Sequence, residues 1–461
     1  MDILFVIPPS PEHKRIIRMI DCSYETKVNY LWQPNDFIIM TSLLKESDRA
    51  FFVDGTADKL GDDVFMEHLR QNQYDILIFA LSSACWESDY RYFQDTKKVF
   101  PNIPVFVIGD IFLEEVYQQL ILNECDGIIF NPFQLDFEGM SMVRKKQSDG
   151  SLPGVCMQPG QIFFTSSTQA IRVSGGVPRH ELFMKRGYRF PFARHFRFAT
   201  VTTMWGCPFA CSYCTDSNFP PLVRAGNDVI KELSYVKNIG IKELFFADKT
   251  FGFFKNEAFS VLYAMKQSFS FSWSCYFHPQ VYDGRLLEMM HAAGCHTIII
   301  GIDSANVLSL RRYKRVVDPL KVDAVIEHAN RLGMNICADF ILGLEHESEA
   351  DVITTIDYAL KMPIDFASFN IAAPLPGSDI RKKAVTAGKM SFGMEGFDTS
   401  GRGGIIGSDS VSVDVIKRLR KEAFRKFYLR PSYLLKRLRK TASFEHFLIQ
   451  ALEMFSMLKK V

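Results

Sequence analysis

The 461-residue chain has almost no net charge, since 54 Lys and Arg against 52 Asp and Glu leave a formal +2. Without a basic excess there is no general electrostatic pull toward nucleic acid, and no nucleic-acid partner is expected. No run of about 18 apolar residues occurs, so no membrane span is expected. A basic leader with a small-residue cleavage site is also missing. Met1 to Ile7 reads as a strand instead, which predicts a cytoplasmic protein. The ten cysteines lack the spacing of a disulfide framework. In a reducing compartment those outside one loop, such as Cys22, Cys156 and Cys337, are expected to be free thiols. What is present, 47% hydrophobic and 23% charged residues, is ordinary globular composition, with room for two or three domains and a large core.

That one loop is Gly206-Cys207-Pro208-Phe209-Ala210-Cys211-Ser212-Tyr213-Cys214, just after the apolar run Phe198–Met204. Three thiolates at C-x3-C-x2-C can cap one face of an iron–sulfur cluster. A [4Fe–4S] cluster normally takes four cysteines, so three leave one iron open to solvent or substrate. A zinc knuckle would want a fourth Cys or His at short spacing, and here the next Cys is Cys275 and the next His is His278. Zinc and three unrelated buried cysteines are the alternatives to the cluster.

The loop resembles that of the radical S-adenosylmethionine (SAM) superfamily, C-x3-C-x-aromatic-C, with Tyr213 in the aromatic place. The resemblance implies a [4Fe–4S] cluster on Cys207, Cys211 and Cys214. Its open iron would chelate SAM, and one electron would release a 5'-deoxyadenosyl radical. It also implies an external one-electron donor such as flavodoxin or ferredoxin. Such chemistry belongs to the cofactor, while the protein holds the geometry and excludes water.

Residues 1–135 alternate apolar strand runs with helical stretches, the mark of a doubly wound parallel sheet. Strands are predicted at Ile3–Ile7, Ala50–Val53, Ile76–Leu81, Val105–Ile108 and Gly127–Phe130. Standing directly before a radical SAM loop, this Rossmann-like unit resembles the cobalamin-binding domain of the magnesium-protoporphyrin ester cyclase and class B methyltransferase group. The strand tips at Pro8, Ser82, Ser83 and Gly109 would then meet cobalamin. The cobalt-ligating His motif of some relatives survives only as His13, which reads as a surface residue. The Gly-Glu-Gly-Glu turn of that group is replaced by Asn131-Pro132-Phe133-Gln134, and its Gly-Gly pair by Gly109-Asp110, so the cofactor is possible and no more.

Residues 136–195 read as a connector with one small hairpin, Gly154–Gln158 with Gln161–Thr165. Residues 196–390 alternate at barrel spacing, with strands predicted at Phe198–Thr203, Glu243–Ala247, Ser270–Tyr276, Thr297–Ile302, Asn335–Leu342 and Phe366–Ala372. They suggest a partial (β/α)6 barrel with its site at the carboxyl ends of the strands. The resemblance assigns several residues there to SAM. Phe246 and Asp248 lie in a stretch that binds the amino group in relatives. Asp303 and Ser304 stand where the cyclase-like group has Gly-Ile-Glu-Ser, and Lys314 where a basic side chain pairs with the SAM carboxylate. Ile341 and Leu342 would border adenine, and Pro374 the cofactor cavity. Alternation along the third strand aims Trp273 and Cys275 at one face and Ser274 and Tyr276 at the other. Tyr276 and Cys275 are weak catalytic candidates. Residues 391–461 hold the glycine-rich Gly401–Gly404 and then basic amphipathic helices over Lys417–Lys426 and Leu434–Lys440. These are expected to close the barrel's open side, with a peripheral membrane contact as the sharper alternative.

Taken together, these features predict a radical SAM enzyme acting on a small, apolar or lipid-like substrate. Cobalamin-dependent methyl transfer to an unactivated centre leads. Cobalamin-independent oxidation, cyclisation or C–C bond formation is the alternative, and a noncatalytic electron carrier or sensor the remote one.

Overall fold

A computed structural model describes all residues except 21, 25–29, 146–151, 161–170, 186, 391–409, 442 and 459–461. Asp2–Ile7 (β1), Arg49–Asp54 (β2), Ile76–Ala80 (β3), Val105–Ile108 (β4), Gly127–Ile129 (β5) and Val155–Cys156 (β6) form one sheet in the order β2-β1-β3-β4-β5-β6. The first five strands are parallel. Every residue of β3 and β4 is buried because helices cover both faces, which is why these runs are apolar without alternation. The order reverses between β1 and β3, and that switch point opens a crevice at the carboxyl ends. One expectation changes here. The run predicted as the first arm of a hairpin, Gly154–Gln158, instead supplies β6, antiparallel to β5. Its second arm, Gln161–Thr165, lies outside the described residues, as does Gly401–Gly404.

A small sheet follows, in which Ile171–Val173 (β7) and Met204–Trp205 (β9) flank Leu222–Arg224 (β10). The barrel strands are Phe198–Val201 (β8), Glu243–Phe246 (β11), Ser272–Tyr276 (β12), Cys295–Asp303 (β13), Asn335–Leu342 (β14) and Phe366–Ile371 (β15). They are parallel, in the order β15-β14-β13-β12-β11-β8, so the barrel is open between β8 and β15.

An open barrel has two bare strand edges whose backbone groups need partners. Gln33, arriving from the first unit, accepts from Thr200 N at 2.8 Å and donates to Phe198 O at 3.0 Å along β8. On the other edge, Tyr428 from the helix Val413–Tyr428 donates to Ala367 O at 2.8 Å, and Arg420 donates to Phe369 O at 2.8 Å. The gap itself is filled by Phe192 against Phe366, ring centroids 4.9 Å apart, together with the tail helices. The tail therefore closes the open side, as expected. Among the described residues no helix is long and apolar enough to cross a membrane.

Candidate functional site

The loop that carries the three cysteines is pinned at both ends. Gly206 has φ +79°, and a Cβ there would lie 2.3 Å from Pro220 O, so only glycine lets the chain turn off β9. Cys207 N donates to Phe219 O at 3.0 Å, Ser212 N to Tyr313 O at 3.0 Å and Cys214 N to Cys211 O at 3.1 Å. Burial pushes the Cys207 thiol up to about 12 and Cys214 well above its ordinary value. Nearby Asp216 adds to both, and the other two thiols add to Cys214. Such thiols become good ligands only when a cation displaces their protons. None of the ten cysteines is in a disulfide. The three thiols of Cys207, Cys211 and Cys214, with no fourth Cys or His before Cys275, are a donor set that fits a [4Fe–4S] cluster with one iron left open.

Beneath the loop lies a buried polar network. Tyr213 donates its hydroxyl to Asp303 at 2.6 Å, and Arg315 ion-pairs with the same carboxylate at 2.6 Å. Arg315 also donates to Gly301 O at 2.5 Å and to His278 Nε2 at 2.7 Å, and its Nη1 lies 3.9 Å from Cys211 Sγ. Burial works against the guanidinium charge, yet Asp303 raises its pKa. Burial first and Arg315 second push His278 down to about 2, so it stays neutral, stacked on Phe209 with centroids 4.0 Å apart. Asp303 reaches this position through a shift of register between β13 and β14 and a φ of +68°. Local strain of that kind is held only when the surroundings fix it.

The residues assigned to SAM separate by strand face. Tyr213 and Asp303 come together, but the Tyr213 hydroxyl is spent on Asp303, and the Asp303 carboxylate on Tyr213 and Arg315. Phe246 and Leu342 point outward into the core between barrel and helices, a consequence of two-residue alternation. Their neighbours Phe245 and Ile341 take the inward side. Asp248 is buried and accepts from Thr203 N at 2.7 Å and from the Thr203 hydroxyl, so it braces the end of β8. Burial pushes it up to about 6 despite those bonds. Ser304 donates to Glu347 at 2.6 Å. Lys314 faces solvent and pairs with Asp379 at 3.1 Å, while its neighbour Arg315 holds the interior. Pro374 is buried after β15, beside Leu375 of the cavity wall. Cys275 lies in the outer core against Cys295, which takes it away from any substrate, and Tyr276 faces inward.

A cavity of about 580 Å³ runs through the barrel, a volume suited to one small-molecule ligand. Cys214, Thr215 and Asp216 bound it at the carboxyl ends, and Cys22, Ser23 and Asp110 bound it from the segments that follow β1 and β4. The two units thus face each other across one space. Pro8, Ser82, Ser83 and Gly109, the four residues assigned to cobalamin, are not among those that line it. A Cβ on Gly109 would lie 1.8 Å from Leu81 O, so packing within the sheet requires this glycine. Ser82 donates to Asp89 at 2.8 Å, and Ser83 gives its N–H to Asp110 at 2.9 Å. Arg18 pairs with Asp89 at 2.8 Å and donates to Pro9 O at 3.3 Å, filling the crevice next to Pro8. The placement of the crevice fits a corrinoid, but Cys22, Ser23 and Asp110 are what it presents, while Ser82 and Ser83 are turned inward. Sequence pattern gives no sign of Arg18 or Arg315, because a single arginine in a basic stretch reads as a surface charge.

Residues 201–359 match the model of the Radical SAM superfamily. An uncharacterised methyltransferase of Pyrococcus horikoshii is 26% identical over 451 residues, covering 95% of this chain and 94% of its own. The anaerobic magnesium-protoporphyrin IX monomethyl ester cyclase of Rubrivivax gelatinosus is 22% identical over 385 residues, 76% of this chain and 66% of that one. In fold, the chain is similar to the radical SAM methyltransferase TsrM of Kitasatospora setae, solved with cobalamin and a [4Fe–4S] cluster bound. The TM-score is 0.64 at 13% identity, over 84% of this chain and 75% of that one. It is equally similar to the cobalamin-dependent SAM radical enzyme OxsB, solved with aqua-cobalamin and SAM, at TM-score 0.64 and 13% identity over 99% and 71%. Residues 201–359 thus form a Radical SAM domain, which implies a [4Fe–4S] cluster and SAM as cofactors of an enzyme, and the fold around it is similar to that of TsrM and OxsB.

Proposed function

We propose that Cys207, Cys211 and Cys214 hold the cluster, and that the enzyme methylates an unactivated carbon or phosphorus centre of a small apolar molecule. The observation that carries this reading is the meeting of Cys214 and Asp216 with the barrel interior in one cavity. When bound, the cluster supplies the electron that cleaves SAM to methionine and a 5'-deoxyadenosyl radical. An external one-electron donor such as flavodoxin or ferredoxin would serve it. The chain's own part is to fix the loop through Tyr213, Asp303 and Arg315, and to exclude water with Trp32, Phe190, Phe192 and Tyr428 around the cavity. The Tyr276 hydroxyl is the group on β12 placed to hold or give a hydrogen at the substrate.

Cobalamin, when bound, would supply a methyl carrier, and it would meet Cys22, Ser23 and Asp110. The inward turn of Ser82 and Ser83 favours a second reading, a cobalamin-free oxidation, cyclisation or C–C bond formation. We further propose the division 1–135, 136–195, 196–390 and 391–461. The test is anaerobic purification and reconstitution, followed by reduction in the presence of SAM. Formation of 5'-deoxyadenosine supports the radical assignment, and its absence sinks it. Corrin bands together with methylated product support the first reading, and their absence alongside 5'-deoxyadenosine supports the second.

A further inference from the structure

We infer that the substrate is an elongated apolar molecule ending in a carboxylate, with that anion held by Arg437 at the end of the cavity far from the cysteines. This rests on the radical SAM reading above and adds the substrate class.

Arg437 is 8% exposed, and its Nη1 is buried with no hydrogen-bond partner. Its guanidinium lies 4.3 Å from the centroid of the Phe366 ring and forms part of the cavity wall. A buried guanidinium donor left unpaired keeps its desolvation cost with no hydrogen bond to offset it, so the site calls for an acceptor. The acids around it do not supply one. Asp365 pairs with Lys440 at 2.7 Å, and Glu445 with His195 at 2.9 Å. Glu453 shares the cavity wall, and burial holds it well above the carboxylate range, toward the neutral acid, even with Arg437 near. Burial likewise pushes His446 down to about 4, so it adds no charge.

Among the described residues Arg437 is the one Lys or Arg that lines the cavity, and the opposite end is lined by Cys214, Thr215, Asp216 and Asp110. The cavity therefore sets a direction, with the anion at Arg437 and the uncharged, reacting end near the cysteines. Phe366 begins β15 and Asn370 nears its end. The four steps from Phe366 to Asn370, at about 3.3 Å each, span roughly 13 Å. An extended chain covers that with on the order of ten single bonds. Between the ends the wall is aromatic, with Tyr30, Trp32, Tyr276, Phe424 and Tyr428.

The test compares laurate with methyl laurate on the reconstituted full-length protein, with binding read by tryptophan fluorescence. The same samples are assayed for 5'-deoxyadenosine. The wild type is expected to bind the acid at least tenfold tighter than the ester. Arg437→Met is expected to abolish that preference, and Glu453→Gln to keep it. Should Arg437→Met not fold, Arg437→Lys takes its place, with a weakened but surviving preference expected. Equal binding of acid and ester by the wild type overturns the inference, as does a preference unchanged in Arg437→Met or lost in Glu453→Gln. Acid preference without any 5'-deoxyadenosine would leave the anion site standing and remove the radical SAM reading.

Discussion

Tyr213, in the cysteine loop, donates its hydroxyl to Asp303 at the end of β13, 90 residues away in sequence, at 2.6 Å. Asp303 is also the carboxylate that neutralises buried Arg315, both side chains being 9% exposed. The bond between loop and strand is thus worth less than the ion pair it leans on. Tyr213→Phe should cost about 1 kcal/mol. Asp303→Ala strands a buried guanidinium and should cost about 3–5 kcal/mol. Urea unfolding of the cluster-free protein reads both, and iron bound per chain after reconstitution should fall in the same order. Equal costs for the two variants would show that the ion pair does not brace the loop.

Two adjacent cations separate cleanly. Lys314 is exposed and pairs with exposed Asp379, an interaction worth about 0–1 kcal/mol. Arg315 binds Asp303, Gly301 O and His278 in the interior. Lys314→Ala should therefore leave stability and SAM cleavage near wild type. Arg315→Met should lose several kcal/mol and most of the bound iron. Thermal melts and 5'-deoxyadenosine yield are the measurements, and a damaging Lys314→Ala would return the role to that lysine.

This pair also shows how far the sequence could be read. The strand positions were legible because parallel strands buried on both faces are uninterrupted apolar runs, and Val105–Ile108 and Asn335–Leu342 fall where the pattern puts them. The cysteine loop was legible because its spacing is the chemistry. Side-chain destinations were less so. Phe246 and Leu342 sit one residue from inward-facing Phe245 and Ile341, and alternation alone does not say which parity faces the cavity. Lys314 and Arg315 differ in fate because the chain turns between them, with Lys314 at φ +55°. Arg18, 71 residues from its partner Asp89, could not be foreseen without the strand order that brings them together.

On β12, Cys275 and Tyr276 make opposite predictions. Cys275 packs in the outer core, so Cys275→Ala should remove about 1 kcal/mol of stability and leave turnover unchanged. Tyr276 faces the cavity, so Tyr276→Phe should leave stability and iron content nearly intact while changing product yield per 5'-deoxyadenosine formed. A ratio that stays constant in Tyr276→Phe would exclude the hydroxyl from the reaction.

Asp110 gives the chain a pH dependence of known sign. Burial pushes its carboxyl up from 3.8 to about 7, although Ser83 donates to it from both N–H and hydroxyl. Cys22, the titratable group beside it, is itself pushed up by burial and by this acid, so it stays a neutral thiol. The folded protein keeps the Asp110 proton to about pH 7, whereas the unfolded chain releases it near 3.8. The group's contribution is therefore fully present below about pH 4 and is lost as pH rises through 7. A shift of that size has an upper bound of about 4 kcal/mol. Asp110→Asn keeps an acceptor for Ser83 and cannot ionise. Its melting temperature relative to wild type should be higher at pH 8 than at pH 5. A difference independent of pH would mean that the Asp110 carboxyl is ionised in the folded protein at both values.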